Sequence, residues 1–185
     1  SAASDVYKRQ GCGSGNFIGL APESATMVGV ELDPATARIA HLLYPNAQVR
    51  NEGFEQTRVP DHSFTATIGN VPFGSFSVPD PVHNPGRHRI HNHFVIKSLH
   101  LTAPGGYVGV ITSAWTMDST DDKARREIHD MADLVGAVRL PSNAFARVAA
   151  TQVVTDVLVF RKREPGDEGP NLSLIHISEP TRPLY

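Results

Sequence analysis

Two stretches decide the fold: Gly11-Cys-Gly-Ser-Gly-Asn-Phe17, and after it Met27-Val-Gly-Val-Glu-Leu-Asp-Pro34. The first is a glycine-rich turn of the composition that follows a strand, and it lets a backbone come close to a ligand. The second is an apolar run ending in an acid, a buried strand by its pattern. Asp33 then supplies a helix N-cap and Pro34 a proline at the first helical position. Glu31 closes the strand about 18 residues beyond the turn, where a carboxylate can bond the hydroxyls of a ribose. Taken alone, the turn serves plain packing equally well, and Glu31 reads also as a solvated charge.

Working outward, the pattern predicts a short helix from Phe17 to about Ala25 and a helix from Pro34 to Leu43 with Ile39, Ala40 and Leu43 on one apolar face. Ala47–Arg50 and Phe64–Gly69 read as strands, the second delivering Asn70-Val-Pro-Phe-Gly74. Residues 75–90 hold Pro, Gly, His and Arg without periodicity, a loop of a length that usually has a task. Asn92–Leu101 reads as a helix with Phe94, Val95 and Leu99 inward, then Pro104-Gly-Gly106 as a turn into the strand Tyr107–Thr112. Ser119 or Thr120 caps a polar helix reaching about Ala132. Leu134–Leu140 and Val153–Phe160 are the last strands, both apolar enough to be central. Strands alternating with helices predict an α/β fold with a mostly parallel twisted sheet. The last strand is expected to be antiparallel, because no helix separates it from the one before.

The 185 residues carry 17 Lys+Arg against 19 Asp+Glu, with 40% hydrophobic residues and one cysteine. That balance suits a soluble domain with a core of its own. No apolar run is long enough for a membrane span and no charged-then-apolar leader opens the chain, so neither membrane nor secretion is expected. The single cysteine excludes a disulfide framework and a Cys-built zinc site within the chain, and fits a reducing, cytoplasmic setting.

Both ends read as foreign. The codons GAT GTG TAT AAG AGA CAG encode Asp5–Gln10, and their reverse complement encodes Leu172–Ile177. The flanking SAAS and SEPTR resemble the outer parts of a transposase-based sequencing adapter. Residues 1–10 and 172–185 are therefore read as translated adapter, the alternative being an inverted repeat in a natural gene. What remains, 11–171, has a charge of -3, and its first strand is expected to be truncated.

The order Gly11–Phe17, then Val28-Gly-Val-Glu-Leu-Asp-Pro34, then Ile68-Gly-Asn-Val-Pro-Phe-Gly74 resembles the class I S-adenosylmethionine-dependent methyltransferases that modify the exocyclic amine of adenine in DNA. Val138-Arg-Leu-Pro-Ser142 and Thr151–Phe160 resemble the last two strands of the large DNA-modification subunits. The Asn-Val-Pro-Phe-Gly wording is most similar to methyltransferases joined to helicase-like regions in phage or mobile-element proteins. The resemblance covers 11–161, implies a Rossmann-like methyltransferase domain there, and leaves 162–171 as a linker.

It also implies site residues. Gly11, Gly13, Gly15, Asn16 and Phe17 would cradle the methionine part of S-adenosyl-L-methionine, while Glu31 and Leu32 would hold its ribose. Glu52, with Glu55 in reserve, would hold its adenine amine, though a surface charge explains either. Phe54 would pack on the adenine ring, or else in the core. Asn70 and the carbonyl of Val71 would hold the target amine, Pro72 would keep Val71 extended, and Phe73 would stack on a flipped base. Val71 replaces the family's usual first proline. The implied partner is DNA, with sequence recognition or a helicase-like region elsewhere, in a bacterial or phage protein.

Cys12 reads as a packing residue. His83, His88, His91 and His93 crowd one stretch with Arg87 and Arg89, but no acid or cysteine accompanies them at the spacing of a zinc module. No metal is expected, and the stretch reads as a weakly cationic loop beside the target pocket or as a solvated one. Lys123–Arg126 is an ordinary polar helix face. Two rivals stay open: methylation of a protein glutamine amide or an RNA guanine amine, and a binding module that has lost catalysis.

Overall fold

The computed structural model describes residues 11–141 and 154–167. The segments read as adapter, 1–10 and 172–185, lie outside them, as do residues 142–153.

The chain begins with the glycine turn and a helix of only four residues, α1 (Asn16–Gly19). It is shorter than its apolar content predicts, because Pro22 and the run after it break the pattern. The strand β1 (Val28–Val30) leads into α2 (Pro34–Leu43), where Asp33 accepts from the Thr36 amide at 3.0 Å as the expected N-cap. The predicted apolar face of α2 is corrected by burial. Ala37 and Ala40 are buried, while Ile39 is 49% and Leu43 59% exposed, so the small residues and not the large ones form the seam. The strand β2 (Gln48–Arg50) pairs parallel to β1. A 3-10 turn follows at Phe54–Gln56.

A second sheet holds β3 (Phe64–Asn70), β4 (Thr102–Ser113), β5 (Ala132–Leu140) and β6 (Thr155–Lys162), in the order β3-β4-β6-β5. The pair β3–β4 is parallel, and β6 runs antiparallel to both β4 and β5, as the missing crossover predicts. Gly105, at φ 76°, and the register shift between Phe64 and Ala66 place the predicted turn inside β4 as an irregularity. Only β6 is central. β5 is an edge strand, which is why Val135 and Val138 stay more than half exposed.

Between the strands of this sheet in the chain come α3 (Ile90–Leu101), the short α4 (Trp115–Asp118) and α5 (Lys123–Met131). α5 starts later than the Ser119 or Thr120 cap predicts, because Ser119 is extended and Asp122 takes the N-cap position. Val95, Ile96 and Leu99 of α3 and Ala124 and Ile128 of α5 close one core with Val108, Val110, Leu158 and Phe160. The sheet is thus covered on one face, and β6 alternates buried and half-buried along its length, the period-2 pattern of a one-sided antiparallel strand. On the other face Ile68 and Tyr107 are about half exposed.

The two sheets do not pair with each other among the described residues. β1 and β3 instead flank a mostly apolar cavity of about 170 Å³ that Met27, Val28, Phe64, Ile68 and Leu101 line. Gly11 lies at the edge of this slot, where the Cys12 amide donates to the Val30 carbonyl at 2.7 Å.

Candidate active site

The glycine turn and the ends of β1 and β3 meet at the carboxyl edge of the parallel strands, where ligands of open α/β sheets bind. Gly13 and Gly15 have φ of 58° and 94°, a region that strains any residue with a Cβ. Gly11 is required for space: a Cβ there would overlap the carbonyl oxygen of Val30 and stand 3.0 Å from Glu31 Oε2.

Glu31 is 1% exposed. Its Oε2 accepts from the Gly13 amide at 2.9 Å and its Oε1 from the Asp33 amide at 2.9 Å. The carboxylate therefore ties the glycine turn to the end of β1, and each oxygen keeps a second lone pair for a hydroxyl donor. A sequence reading that treats Glu31 only as a ligand group misses this structural duty. It also misses Asn51, whose amide donates to the carbonyls of Glu31 at 2.9 Å and Leu32 at 3.0 Å. The signal was present as a lone Asn directly after a short strand.

Gly11, Leu32, Glu52 and Phe54 line one cleft, with Val30, Gly53 and Phe94. Four expected cofactor residues from three separate segments are brought together there, and Glu55 does not line it. Glu52 lies 3.5 Å from Arg50. The Phe54 ring packs on Phe94 at 4.8 Å between centroids, with Lys97 Nζ 5.2 Å from its centre, so it has core partners as well as a face on the cleft. Phe17 lines the cavity between the sheets, and Asn16 is exposed. Burial and the Glu31 carboxylate push the Cys12 thiol up to about 11, leaving it protonated at neutral pH, as suits a packing residue.

Asn70 ends β3. Its side-chain oxygen is buried and has no hydrogen-bond partner among the described residues. Val71 is buried and its amide donates to the Ile111 carbonyl at 2.9 Å, which extends the β3–β4 ladder through the motif. Pro72 is buried, and Phe73 is half-buried against the main core.

The loop that follows is held from within. Asn84 donates to Ser77 Oγ, Val78 O and His88 O and accepts from the His88 amide at 2.8 Å. Asp80, fully buried, accepts from Lys97 at 2.8 Å and lies 3.1 Å from His93 Nε2. These bonds hold its carboxyl well below the ordinary range, against the opposing effect of burial. His88 meets Glu127 at 2.6 Å, and His91, 3% exposed, bonds the backbone of Gly74. The histidines are therefore mostly inward partners of carboxylates and backbone, and the reading of this stretch as a cationic or solvated surface is corrected. The acids that complete them, Asp61 and Glu127, lie far off in sequence. In α5, Arg126 pairs with Asp122 at 2.7 Å on the surface, an ordinary polar face.

No family model matches the chain. It is 30% identical over 171 residues to the defense against restriction protein B of Escherichia phage P1, a match covering 90% of this chain and 8% of that protein. A Listeria monocytogenes chain described as a class I S-adenosylmethionine-dependent methyltransferase superposes with a TM-score of 0.67 at 19% identity, over 86% of this chain and 54% of that one. The M protein of the type I restriction enzyme EcoKI superposes with a TM-score of 0.56 at 25% identity, over 74% of this chain and 31% of that one. The chain thus has the Rossmann-like class I methyltransferase fold, and its structural neighbours include S-adenosylmethionine-dependent enzymes and type I modification subunits. It spans about a twelfth of the length of its curated relative. No helix among the described residues is long and apolar enough to cross a membrane.

Proposed function

We propose that this chain carries the catalytic domain of a DNA methyltransferase that moves a methyl group from S-adenosyl-L-methionine to the exocyclic amine of adenine. The observation that carries the reading is the buried, unpartnered Oδ1 of Asn70 at the end of β3. A buried acceptor with no partner costs about 1–3 kcal/mol, and a donor from a substrate amine would remove that cost.

The residues present fit the cofactor. The turn at Gly11 excludes even a methyl group, Glu31 retains free lone pairs, and Leu32, Glu52 and Phe54 face one cleft. In this reading Gly11, Gly13, Gly15, Asn16 and Phe17 hold the methionine part, Glu31 and Leu32 the ribose, and Glu52 and Phe54 the adenine. Bound S-adenosylmethionine supplies an electrophilic methyl group. The protein's task is to make a poor nucleophile competent, because the lone pair of an adenine amine is delocalised into the ring. Asn70 Oδ1 and the Val71 carbonyl accept the two amine hydrogens and favour a pyramidal nitrogen with its lone pair directed outward. Pro72 fixes the backbone angle of that carbonyl, and Phe73 offers a ring to the base once it has left the helix. The gain is one of positioning and needs no covalent intermediate on the protein.

The likeness to restriction-associated proteins supports DNA as the substrate and a bacterial or phage cytoplasm as the setting. Phosphate contacts dominate DNA affinity, and the net acidic charge of this chain supports a reading in which most of them, with specificity or helicase-like regions, belong to other parts of a parent protein. Residues 1–10 and 172–185 are read as foreign on their shared coding string, 11–161 as the catalytic domain and 162–171 as linker, except that Lys162 is the last residue of β6 and belongs with the domain.

The test is transfer of labelled methyl from S-adenosylmethionine by the protein of the intact gene, offered DNA, RNA and protein, beside Asn70→Ala. Label is expected in DNA as N6-methyladenine, with a loss of at least about 100-fold in Asn70→Ala. Label in RNA or protein alone refutes the DNA reading, and full activity in Asn70→Ala refutes the amine-holding role.

A further inference from the structure

At the opposite end of β3 from Asn70, three segments distant in sequence meet. Asp61 precedes β3, His83 lies in the loop after the Asn70–Phe73 motif, and His100 is in the last turn of α3. One ligand atom from each lies within 4.8 Å of the other two.

His83, 7% exposed at its side chain, stands between two carboxylates. Nε2 is 2.9 Å from Asp61 Oδ1, and Nδ1 is 3.8 Å from Asp80 Oδ2 with no hydrogen-bond partner. Asp80 is already bonded by Lys97 and His93. Asp80 stands behind the ring, beyond hydrogen-bond distance of Nδ1, so a small closing movement is needed before it can orient a metal-bound histidine through that nitrogen. In the metal-free protein Nε2–H donates to Asp61 Oδ1 at 2.9 Å, and a cation bound between the two takes the place of that proton, which moves to Nδ1. His100 Nδ1 lies 3.7 Å from Asp61 Oδ2 and the two histidine rings are 5.1 Å apart. The nearest competing cation, Lys162, is spent on the Leu99 carbonyl at 2.7 Å and on His62 Nδ1 at 3.1 Å.

We propose that Asp61, His83 and His100 form a divalent-metal site, suited by its two imidazoles and one carboxylate to Zn²⁺, with water as fourth ligand. Ligand atoms about 2.0–2.2 Å from zinc sit roughly 3.4 Å apart, so His83 and Asp61 separate by about half an ångström as His100 closes in. The site is a clasp. It pins the loop that follows the motif to the start of β3 and the end of α3, away from the chemistry. It arises from Asp61 and His100, which lie outside the histidine-rich stretch that drew attention in the sequence.

The test uses the full chain, stripped with a chelator and titrated with Zn²⁺ by calorimetry and with Co²⁺ by visible absorption. Asp61→Asn and His100→Gln probe the site from its solvent side without emptying the core, and His41→Gln, on the exposed face of α2, is the control. One equivalent of Zn²⁺ is expected to bind, with tetrahedral Co²⁺ bands and a raised unfolding temperature. Affinity is expected to fall at least tenfold in each site variant and to be unchanged in the control. Absence of saturable binding overturns the proposal, as does binding that survives in both site variants, which would mark the metal as adventitious on other histidines.

Discussion

Replacing Asp80 by Asn tests what holds the loop behind Asn70–Phe73 in place. In the wild-type structure the Asp80 carboxylate accepts from Lys97 at 2.8 Å, lies 3.1 Å from His93 Nε2, and caps the amides of Val82 and His83 at 3.3 and 3.2 Å. Both Asp80 and Lys97 have fully buried side chains. Asparagine keeps the shape and one acceptor for the amides but leaves the Lys97 charge uncompensated. Removing one partner of a buried pair costs about 3–5 kcal/mol. Burial already lowers the Lys97 pKa, so the ammonium can shed its proton, which sets the expected cost near the lower figure, about 3 kcal/mol. That is a large share of a typical domain stability of about 5–15 kcal/mol. Adding Lys97→Met removes the orphaned charge with an apolar chain of similar length, and the double variant is expected to recover most of the loss. Urea unfolding of the four proteins measures both terms as a cycle. A cost under about 0.5 kcal/mol for Asp80→Asn, or no recovery in the double variant, would refute the account, since surface-like sites alone behave so.

Gly11→Ala is expected to lower stability by about 1–3 kcal/mol, read by chemical unfolding, because its Cβ meets backbone at Val30 that cannot rotate away. S-adenosylmethionine binding, read by calorimetry, is expected to weaken with it. His91 predicts a pH dependence. Burial, with Arg89, lowers its pKa from 6.5 to about 4. Above pH 6.5 it is neutral in both folded and unfolded chains and adds nothing. As pH falls from about 6.5 to about 4 the unfolded chain takes up the proton first, so up to about 3 kcal/mol of stability is lost across that window. His91→Gln should remove that part of the slope, and an unchanged slope would assign it elsewhere. Cys12, pushed up to about 11, is expected to react with a thiol reagent at pH 8 on the order of a hundredfold more slowly than an unhindered thiol. A rate equal to that of a free thiol would contradict its burial beside Glu31.

What could be read in the sequence was what the chain specifies locally. The cap at Asp33, the glycine turn, the acid at the end of β1 and the Asn70 motif each state their role within a few residues, and the antiparallel β6 follows from a missing crossover. What could not be read depended on partners far away. Ile39 and Leu43 have the spacing of a buried face, yet burial needs a neighbour, and the neighbours of α2 come within reach of alanines alone. The same rule governs the histidines. A stretch with His83, His88, His91 and His93 and few acids nearby looks cationic, because Asp61 and Glu127, which bond two of them, stand 22 and 39 residues away. Charge within a window predicts surface only when no opposite charge returns to it through the fold. Here the turn before β3 brings Asp61 back to the loop and α5 brings Glu127, so a stretch that reads as a weakly cationic or solvated loop is held from within. The two ends of β3 thus differ: its carboxyl end presents a buried acceptor with no partner among the described residues, and the residue Asp61 just before its amino end is bonded to His83 of the loop that follows the motif.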